Sequence, residues 1–475
     1  MARGFDTNLK SMKEPLIKVS LDRLPTFHEE SAIFLANLLG LFFGNEAETR
    51  MLANEVGEID SYGARLMPVM DLLYRGTKSN LLILEREPVA CLGQYFTDQV
   101  DLSIPEVGVL PHDEYIAIGQ CLEECSGKHD WQNEPGWKQE HLTLIDRLAS
   151  TGLNRLDGYV TDRTLSALAQ VTGMKTFSSI YGSQQGNNKW RLYTFLELNG
   201  LPTPRTEIAA TAEGINKALQ LFKSAGFQSA VVKAPLGASG IGMLKVNLQD
   251  SLELAAVEVP QHFFTEGPCL VQGWLWAGCG SIKRLYSPSA QLFLNDNEVV
   301  IYALTEQILS HHSIHEGNIS PPPYLAGKPH WQEELLRQAA IVGKWLHKQG
   351  YRGTASADFI LTEEEDSFTL YVCELNARVT GATYPAILAS HFIPESVWIL
   401  RNLRLNKPMS ADKVMHCLQQ SGCLFAADRE TPGVFPISLN IGEGGLIYKG
   451  QFLFMADSQQ QSETMLQKTR EYLHC

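Results

Sequence analysis

Four residues in the stretch Gly353–Gly381 have the types and spacing for cation and anion chemistry: Asp358, Glu374, Asn376 and Arg378. Two alternating apolar runs, Ala355–Leu361 and Phe368–Glu374, flank an acidic turn, which is the pattern of a β-hairpin. Folding the hairpin about that turn sets Asp358 opposite Glu374. Glu374, Asn376 and Arg378 occupy every second position, so an extended chain turns all three to one face. Two carboxylates and an amide oxygen suit a hard, oxygen-seeking cation such as Mg²⁺. An Arg beside them suits a phosphate or a carboxylate. The plain alternative is a half-solvated sheet face with a stray ion pair.

Three further segments bear on that choice. Ala230–Lys245 reads as two strands joined by a loop that holds Gly237, Ser239, Gly240 and Gly242. Small residues let backbone N–H groups approach an anion closely, and Lys233, at the head of the loop, is in reach of a phosphate. The loop joins strand to strand and lacks the Gly-Lys-Ser/Thr ending of a Walker A loop, so no P-loop nucleotide fold is indicated. The bland reading is a hairpin tip. Lys189 falls in the first turn of a helix in GNNKWRLYTFLEL, where a Lys is ordinarily a solvated charge. Val271–Leu275 follows a short apolar strand and offers main-chain groups to an adenine edge, with Trp274 nearby; an ordinary core strand with a buried Trp reads equally well.

The order of these segments is more telling than any one of them. A Lys at a helix start, a Lys before a Gly-rich hairpin, a hinge strand and then Asp…Glu-x-Asn-x-Arg resemble the ATP-grasp superfamily over about residues 185–400. NNKWRLYTFLELNGLPTP is similar to that family's first-lysine helix, VVKAPLGASGIGM to its phosphate-covering hairpin and VCELNARVTG to its metal strand. The resemblance implies that Lys189 and Lys233 contact ATP phosphates and that Gly237, Ser239 and Gly240 cover the triphosphate. It implies that Gln272, Trp274 and Leu275 line the adenine slot, that Asp358, Glu374 and Asn376 hold Mg²⁺ (or Mn²⁺), and that Arg378 meets the transferred phosphoryl or the acyl carboxylate. Ala277–Arg284 lacks the acid that many members use for ribose, so the ribose contact is unassigned and Lys283 or Arg284 is left to add positive charge. Ser287–Leu294 and Thr305–Leu309 resemble, more narrowly, pheganomycin-type peptide ligases.

The elements that must position these residues follow from pattern and composition. At 475 residues the chain has room for several domains and ample core. With 44% hydrophobic and 19% charged residues it is an ordinary globular composition, and a net charge of −14 argues against a nucleic-acid surface. Nine scattered Cys suggest reduced thiols; neither Cys121/Cys125 nor Cys417/Cys423 forms a zinc or disulfide framework. No signal-peptide pattern opens the chain, and Ala32–Phe43, the longest apolar run, is too short to span a bilayer and reads as a buried helix. The cytoplasm is the expected compartment, with no nucleic-acid or membrane partner.

The expected fold class is α/β and α+β, in several domains. Residues 1–170 form a Rossmann-like domain without a GxGxxG turn, with strands at Leu81–Leu84 and Val107–Leu110, and resemble a pre-ATP-grasp domain. Residues 171–405 form the ATP-grasp domain, two α+β subdomains clamping ATP, with a lid at about 205–275. Residues 406–475 form a small α+β appendage with strands around Gly433–Asn440 and Gly444–Phe454. Helices are expected at Asn187–Leu198, Trp331–Gln349, Tyr384–Leu400 and Ser462–Leu473. His311, His312 and His315 sit too near Gly317 and Pro321–Pro323 for a metal-binding helix, and a substrate-side loop or plain surface is the expectation.

The resulting functional expectation is an ATP-dependent carboxylate–amine ligase. It would form an amide or peptide bond through an acyl phosphate and release ADP and phosphate. The rivals are other ATP-grasp chemistry, carboxylation or phosphotransfer, and a nucleotide-binding protein without catalysis. The partners are small-molecule or peptide carboxylates and amines whose identity the sequence does not disclose. A homodimer is compatible with it, and oligomeric state stays open.

Overall fold

The computed structural model describes residues 14–41, 62–125, 131–237, 242–250, 257–310, 315–427 and 431–475. Its first unit is a five-stranded parallel sheet in the order Glu106–Val109, Leu81–Leu84, Ile33–Leu35, Arg155–Gly158, Lys175–Thr176. The helices His112–Glu124, Gln139–Ser150 and Arg163–Val171 bury its apolar residues on one side. The run expected to be a buried helix at Ala32–Phe43 is instead the short strand Ile33–Leu35 and a 3-10 turn at Leu38–Leu41; Phe42 and Phe43 lie outside the described residues. A central strand buried on both faces has no alternation to distinguish it from a buried helix. Asn37 separates the two pieces, and its side-chain amide donates to Val160 O at 2.7 Å and to Asp162 Oδ2 at 3.0 Å.

The second sheet is antiparallel and four-stranded, in the order Thr206–Ala209, Cys269–Gly273, Ser229–Lys233, Met243–Asn247. The amphipathic helix Ala212–Ser224 covers it, and Ile215, Leu219 and Phe222 are fully buried against the strands. Gly242, at φ +77°, closes the turn back into the last strand, and a Cβ there would meet Leu236 O at 2.8 Å.

The third sheet has ten strands and holds the hairpin of Asp358 and Glu374. Gly353–Glu363 pairs with Phe368–Asn376 on one side and with Pro288–Leu294 on the other. Glu298–Leu309, His315–Ser320 and Val397–Met409 follow in order, and then Ile447–Ala456 and Gly433–Ile441. The strands of residues 406–475 are thus hydrogen-bonded into the same sheet as the hairpin. Leu16–Val19 adds to it in parallel, pairing with Glu298–Ile301. The helix expected at Tyr384–Leu400 ends at Phe392, and Val397–Leu400 is already strand. Wholly apolar through Ile387–Leu388 and again through Trp398–Leu400, this stretch gives a period-based reading no sign of the break. Pro394-Glu395-Ser396, with Glu395 at φ +66°, supplies it.

Candidate active site

The hairpin sets Asp358 directly across from Glu374, and the register slips by a bulge between Asp358 and Phe359. A bulge at that point re-aims the side chains around it. Asp358 is held from three directions. Ser289 Oγ donates to its Oδ1 at 2.6 Å, Ser356 Oγ to the same oxygen at 3.2 Å, and Asn376 Nδ2 to Oδ2 at 2.9 Å. The Oδ1 of Asn376 is buried without a hydrogen-bond partner. A buried amide oxygen left bare costs about 1–3 kcal/mol unless something arrives to meet it.

Three cations converge on Glu374. Lys189 Nζ lies 2.7 Å from its Oε1, with the lysine side chain only 6% exposed. Burial pushes the Glu374 carboxyl up, but Lys189, Arg378 and Lys233 together outweigh it and hold it below the usual carboxylate range. Asp358 lacks such neighbours at contact distance. Burial and the charge of Glu374 raise its carboxyl to about 6. Two carboxylates facing each other thus have opposite tendencies, one held ionised and the other close to neutrality at mildly acid pH.

The cations are placed by a mixture of side-chain and main-chain hydrogen bonds. Asn188 caps the helix Lys189–Leu198 by accepting from Arg191 N at 3.1 Å, which fixes Lys189 in the first turn. Its backbone N donates to Pro235 O and its Nζ to Gly237 O, at 2.8 and 2.9 Å, so the first-lysine helix is tied to the stem of the Gly-rich loop. Lys233 Nζ reaches over Cys373 Sγ at 3.5 Å, on the strand that bears Glu374. The strand ends at Asn376, so the expected single face does not extend to Arg378. Arg378 is placed by Asn187, whose Oδ1 accepts from Arg378 Nη1 and from Ala377 N, both at 3.1 Å. Gly186 makes this approach feasible: a Cβ there would come within 2.5 Å of both Ala377 and Leu346 side-chain atoms.

The hinge strand is fixed by both side-chain and main-chain hydrogen bonds. Gln272 is buried and its Nε2 donates to Thr206 Oγ1 at 2.9 Å, while Trp274 N donates to Ser229 O at 3.0 Å. Lys245 Nζ stands 4.1 Å above the Trp274 ring, and Leu275 lies half-buried beyond the strand end. Ser239 and Gly240 lie outside the described residues, as do His311 and His312; His315 begins the strand His315–Ser320. Sequence reasoning missed Asn187, Ser289, Ser356 and Gln291, the last donating to Ser289 Oγ at 2.9 Å. Asn187 alone left a signal, as the residue two before Lys189 in GNNK.

Two carboxylates and an unpartnered amide oxygen fit a hard divalent cation that takes its remaining ligands from phosphate oxygens or water. Among the described residues, no group of three or more His, Cys, Asp or Glu could hold a metal alone. Also among them, no helix is long and apolar enough to cross a membrane.

A family model described as an ATP-grasp domain matches residues 186–382, which contain Lys189, Lys233, the strand Cys269–Gly273 and the whole Asp358–Glu374 hairpin. The chain carries an ATP-grasp domain. The fold of nearly the whole chain is shared with solved proteins. N5-carboxyaminoimidazole synthetase from Staphylococcus aureus, complexed with ADP, superposes with a TM-score of 0.51 over 95% of this chain and 99% of its own, at 13% identity. Biotin carboxylase from Campylobacter jejuni does so with a TM-score of 0.53 over 94% and 92%, at 12% identity. A curated relative, the [butirosin acyl-carrier protein]–L-glutamate ligase of Niallia circulans, is 30% identical over 259 residues. That match spans 52% of this chain and 58% of the relative's length.

Proposed function

We propose that this protein is an ATP-dependent carboxylate–amine ligase that makes an amide or peptide bond through an acyl phosphate. The observation that carries the reading is the paired site: Asp358 opposite Glu374, with Asn376 Oδ1 unpartnered and three cations converging on Glu374. In this reading Lys189 and Lys233 leave their internal partners to take nucleotide phosphates. Gly237, Ser239 and Gly240 cover the triphosphate, and the strand end at Gln272, Trp274 and Leu275 receives the adenine. Asp358, Glu374 and Asn376 hold Mg²⁺, which when bound spreads the charge of the phosphates. A substrate carboxylate attacks the γ-phosphorus and ADP leaves; an amine then displaces phosphate from the acyl carbon. Arg378, anchored by Asn187, is positioned to neutralise the carboxylate and then the tetrahedral oxyanion. Loops of the 1–170 domain and of residues 310–324 shape the substrate pocket, about 205–275 act as the lid of the 171–405 unit, and the strands of 406–475 complete the central sheet.

The curated relative supports the ligase reading over carboxylation, because its name joins L-glutamate to an acyl-carrier protein. L-Glutamate and a carrier protein therefore head the list of substrates to try, followed by other amino acids and dipeptides. The test is ADP release with each acid and amine singly and together, with mass spectrometry of the products. ADP release that requires both partners and yields a condensed product supports the proposal. Release that requires bicarbonate, or none with any pair while the nucleotide binds, overturns it.

A further inference from the structure

The strand Pro288–Leu294 is buried along its whole length and, but for Ser289 and Gln291, apolar. Gln291 is 0% exposed, and a bulge interrupts the strand's pairing with Glu298–Leu309 directly after it. A bulge re-aims the side chains beside it. An amide sealed in an apolar layer costs stability at each end left bare, and here both ends are met. Gln291 Nε2 donates to Ser289 Oγ at 2.9 Å, and its Oε1 accepts from Thr380 Oγ1 at 3.1 Å.

Neither partner is an end point. Ser289 lies directly across the sheet from Asp358 and donates to its Oδ1 at 2.6 Å. Thr380 is two residues past Arg378, and its backbone N donates to Thr383 Oγ1 at 3.0 Å. That bond fastens the Arg378 loop to the first residue of the helix Thr383–Phe392. The side chains thus form one line, Thr380–Gln291–Ser289–Asp358, from the loop of Arg378 to a carboxylate of the paired site.

The line has a direction. An ionised Asp358 can only accept, so the single hydroxyl hydrogen of Ser289 points to it and Ser289 must receive from Gln291. That turns the amide Nε2 toward Ser289 and its Oε1 toward Thr380, whose hydroxyl supplies the outermost hydrogen. Hydrogen bonds aligned in this way strengthen one another. Without the outermost one, the amide is free to turn over. A turned amide presents Oε1 to Ser289, draws its hydroxyl hydrogen away from Asp358 and lets the carboxylate swing.

We propose that Gln291 is a positioning residue that sets, through Ser289 on one side and Thr380 on the other, where Asp358 stands relative to Arg378. Wholly buried, it acts only through those two partners. It fixes the spacing between the cation side and the anion side of the site. The inference rests on the metal reading of Asp358 given above.

The test acts at the far end of the line. Thr380→Val deletes the outer hydroxyl and leaves Asp358, Glu374 and Asn376 in place. Mg²⁺ is titrated by calorimetry into the full chain saturated with a non-hydrolysable ATP analogue, for the wild type, Thr380→Val, Ser289→Ala and the double variant. Thr380→Val should bind Mg²⁺ about threefold to tenfold more weakly, as one buried hydrogen bond is worth, and Thr380→Ser, which keeps the hydroxyl, should return to within about twofold of the wild type. Added to Ser289→Ala, Thr380→Val should weaken Mg²⁺ no further, because the line is already cut; a merely structural role would add. Equal affinity for the analogue without Mg²⁺ shows that the variants fold. If Thr380→Val does not fold, Thr380→Ala removes the same hydroxyl without setting a methyl against Gln291 and carries the same expectation. Wild-type Mg²⁺ affinity in Thr380→Val, or losses that add in the double variant, overturn the positioning role and leave the metal reading intact. A wild type that takes up no Mg²⁺ with the analogue overturns the metal reading, and the positioning role with it.

Discussion

Replacing Asp358 by Asn should make the protein more stable and inactive at the same time. The carboxyl of Asp358 is raised from 3.8 to about 6 in the fold, first by burial and then by Glu374. A carboxyl raised in the folded state binds its proton more tightly there than in the unfolded chain, so stability falls as pH rises between the two values and stays low above about 6. The gap corresponds to ~3 kcal/mol of cost to keep Asp358 ionised at neutral pH. Asn carries no such cost. Its amide oxygen can still accept from Ser289, and Asn376, whose Oδ1 has no partner, can turn that oxygen toward the new amide. Unfolding in urea at pH 7.5 should therefore show Asp358→Asn ahead of the wild type by up to about 3 kcal/mol, with the difference gone by pH 4. The same ionisation governs the cation. Calorimetric titration with Mg²⁺ and a non-hydrolysable ATP analogue should find the wild type binding about tenfold more weakly at pH 5 than at pH 7.5 from this group alone. The analogue titrates too, so the quantity to read is the ratio of wild type to variant, which isolates Asp358. If Asp358→Asn is destabilised at pH 7.5 and the ratio is flat with pH, the carboxyl is an ordinary ionised one and the argument for a strained metal ligand is refuted.

Glu374→Gln should behave oppositely in stability while matching Asp358→Asn in lost turnover. It leaves Lys189 without its buried partner, a break that costs about 3–5 kcal/mol in such settings, and equal urea midpoints for the two variants would contradict the assignment. Lys233→Ala should weaken the analogue's affinity by at least about tenfold and lower the melting temperature less than Glu374→Gln does, because Lys233 acts on Glu374 less strongly than Lys189 and its side chain donates to Cys373 Sγ at 3.5 Å; calorimetry and a thermal melt check it. Gly186→Ala should lose about 1–3 kcal/mol through overpacking against Ala377 and Leu346. It should also lower turnover at temperatures where it is folded, since it displaces the Asn187 that anchors Arg378; normal kcat would separate that helix from catalysis.

The metal hairpin was legible because local rules fix it. An acidic turn between alternating runs leaves one register, and that register sets Asp358 against Glu374, as found. The first lysine was legible in the same way, from a helix start that Asn188 caps. What sequence could not reach is whatever crosses the sheet. Ser289 holds Asp358 from a strand 69 residues away, and Asn187 holds Arg378 across 191. No periodicity encodes such pairs. The expectation of three side chains on one face failed at Arg378 because a strand's alternation stops where its hydrogen bonding stops, at Asn376. The errors at Ala32–Phe43 and Val397–Leu400 share a cause: segments buried on every side carry no polar phase from which a period can be read.

The parallel strand Leu16–Val19 has a consequence for how the chain is made. Its partner, Glu298–Ile301, comes about 280 residues later. At translation rates of about 5–20 residues per second, this N-terminal strand waits roughly a quarter of a minute to a minute for the surface it must join. The five-stranded sheet, whose strands all precede residue 177, can assemble during that interval. The strand itself cannot dock until the central sheet exists. Until then it is an unpaired strand, as available to a neighbouring nascent chain as to its own. Order of synthesis, and not only the final energy, thus decides whether this strand and the central sheet meet within one molecule.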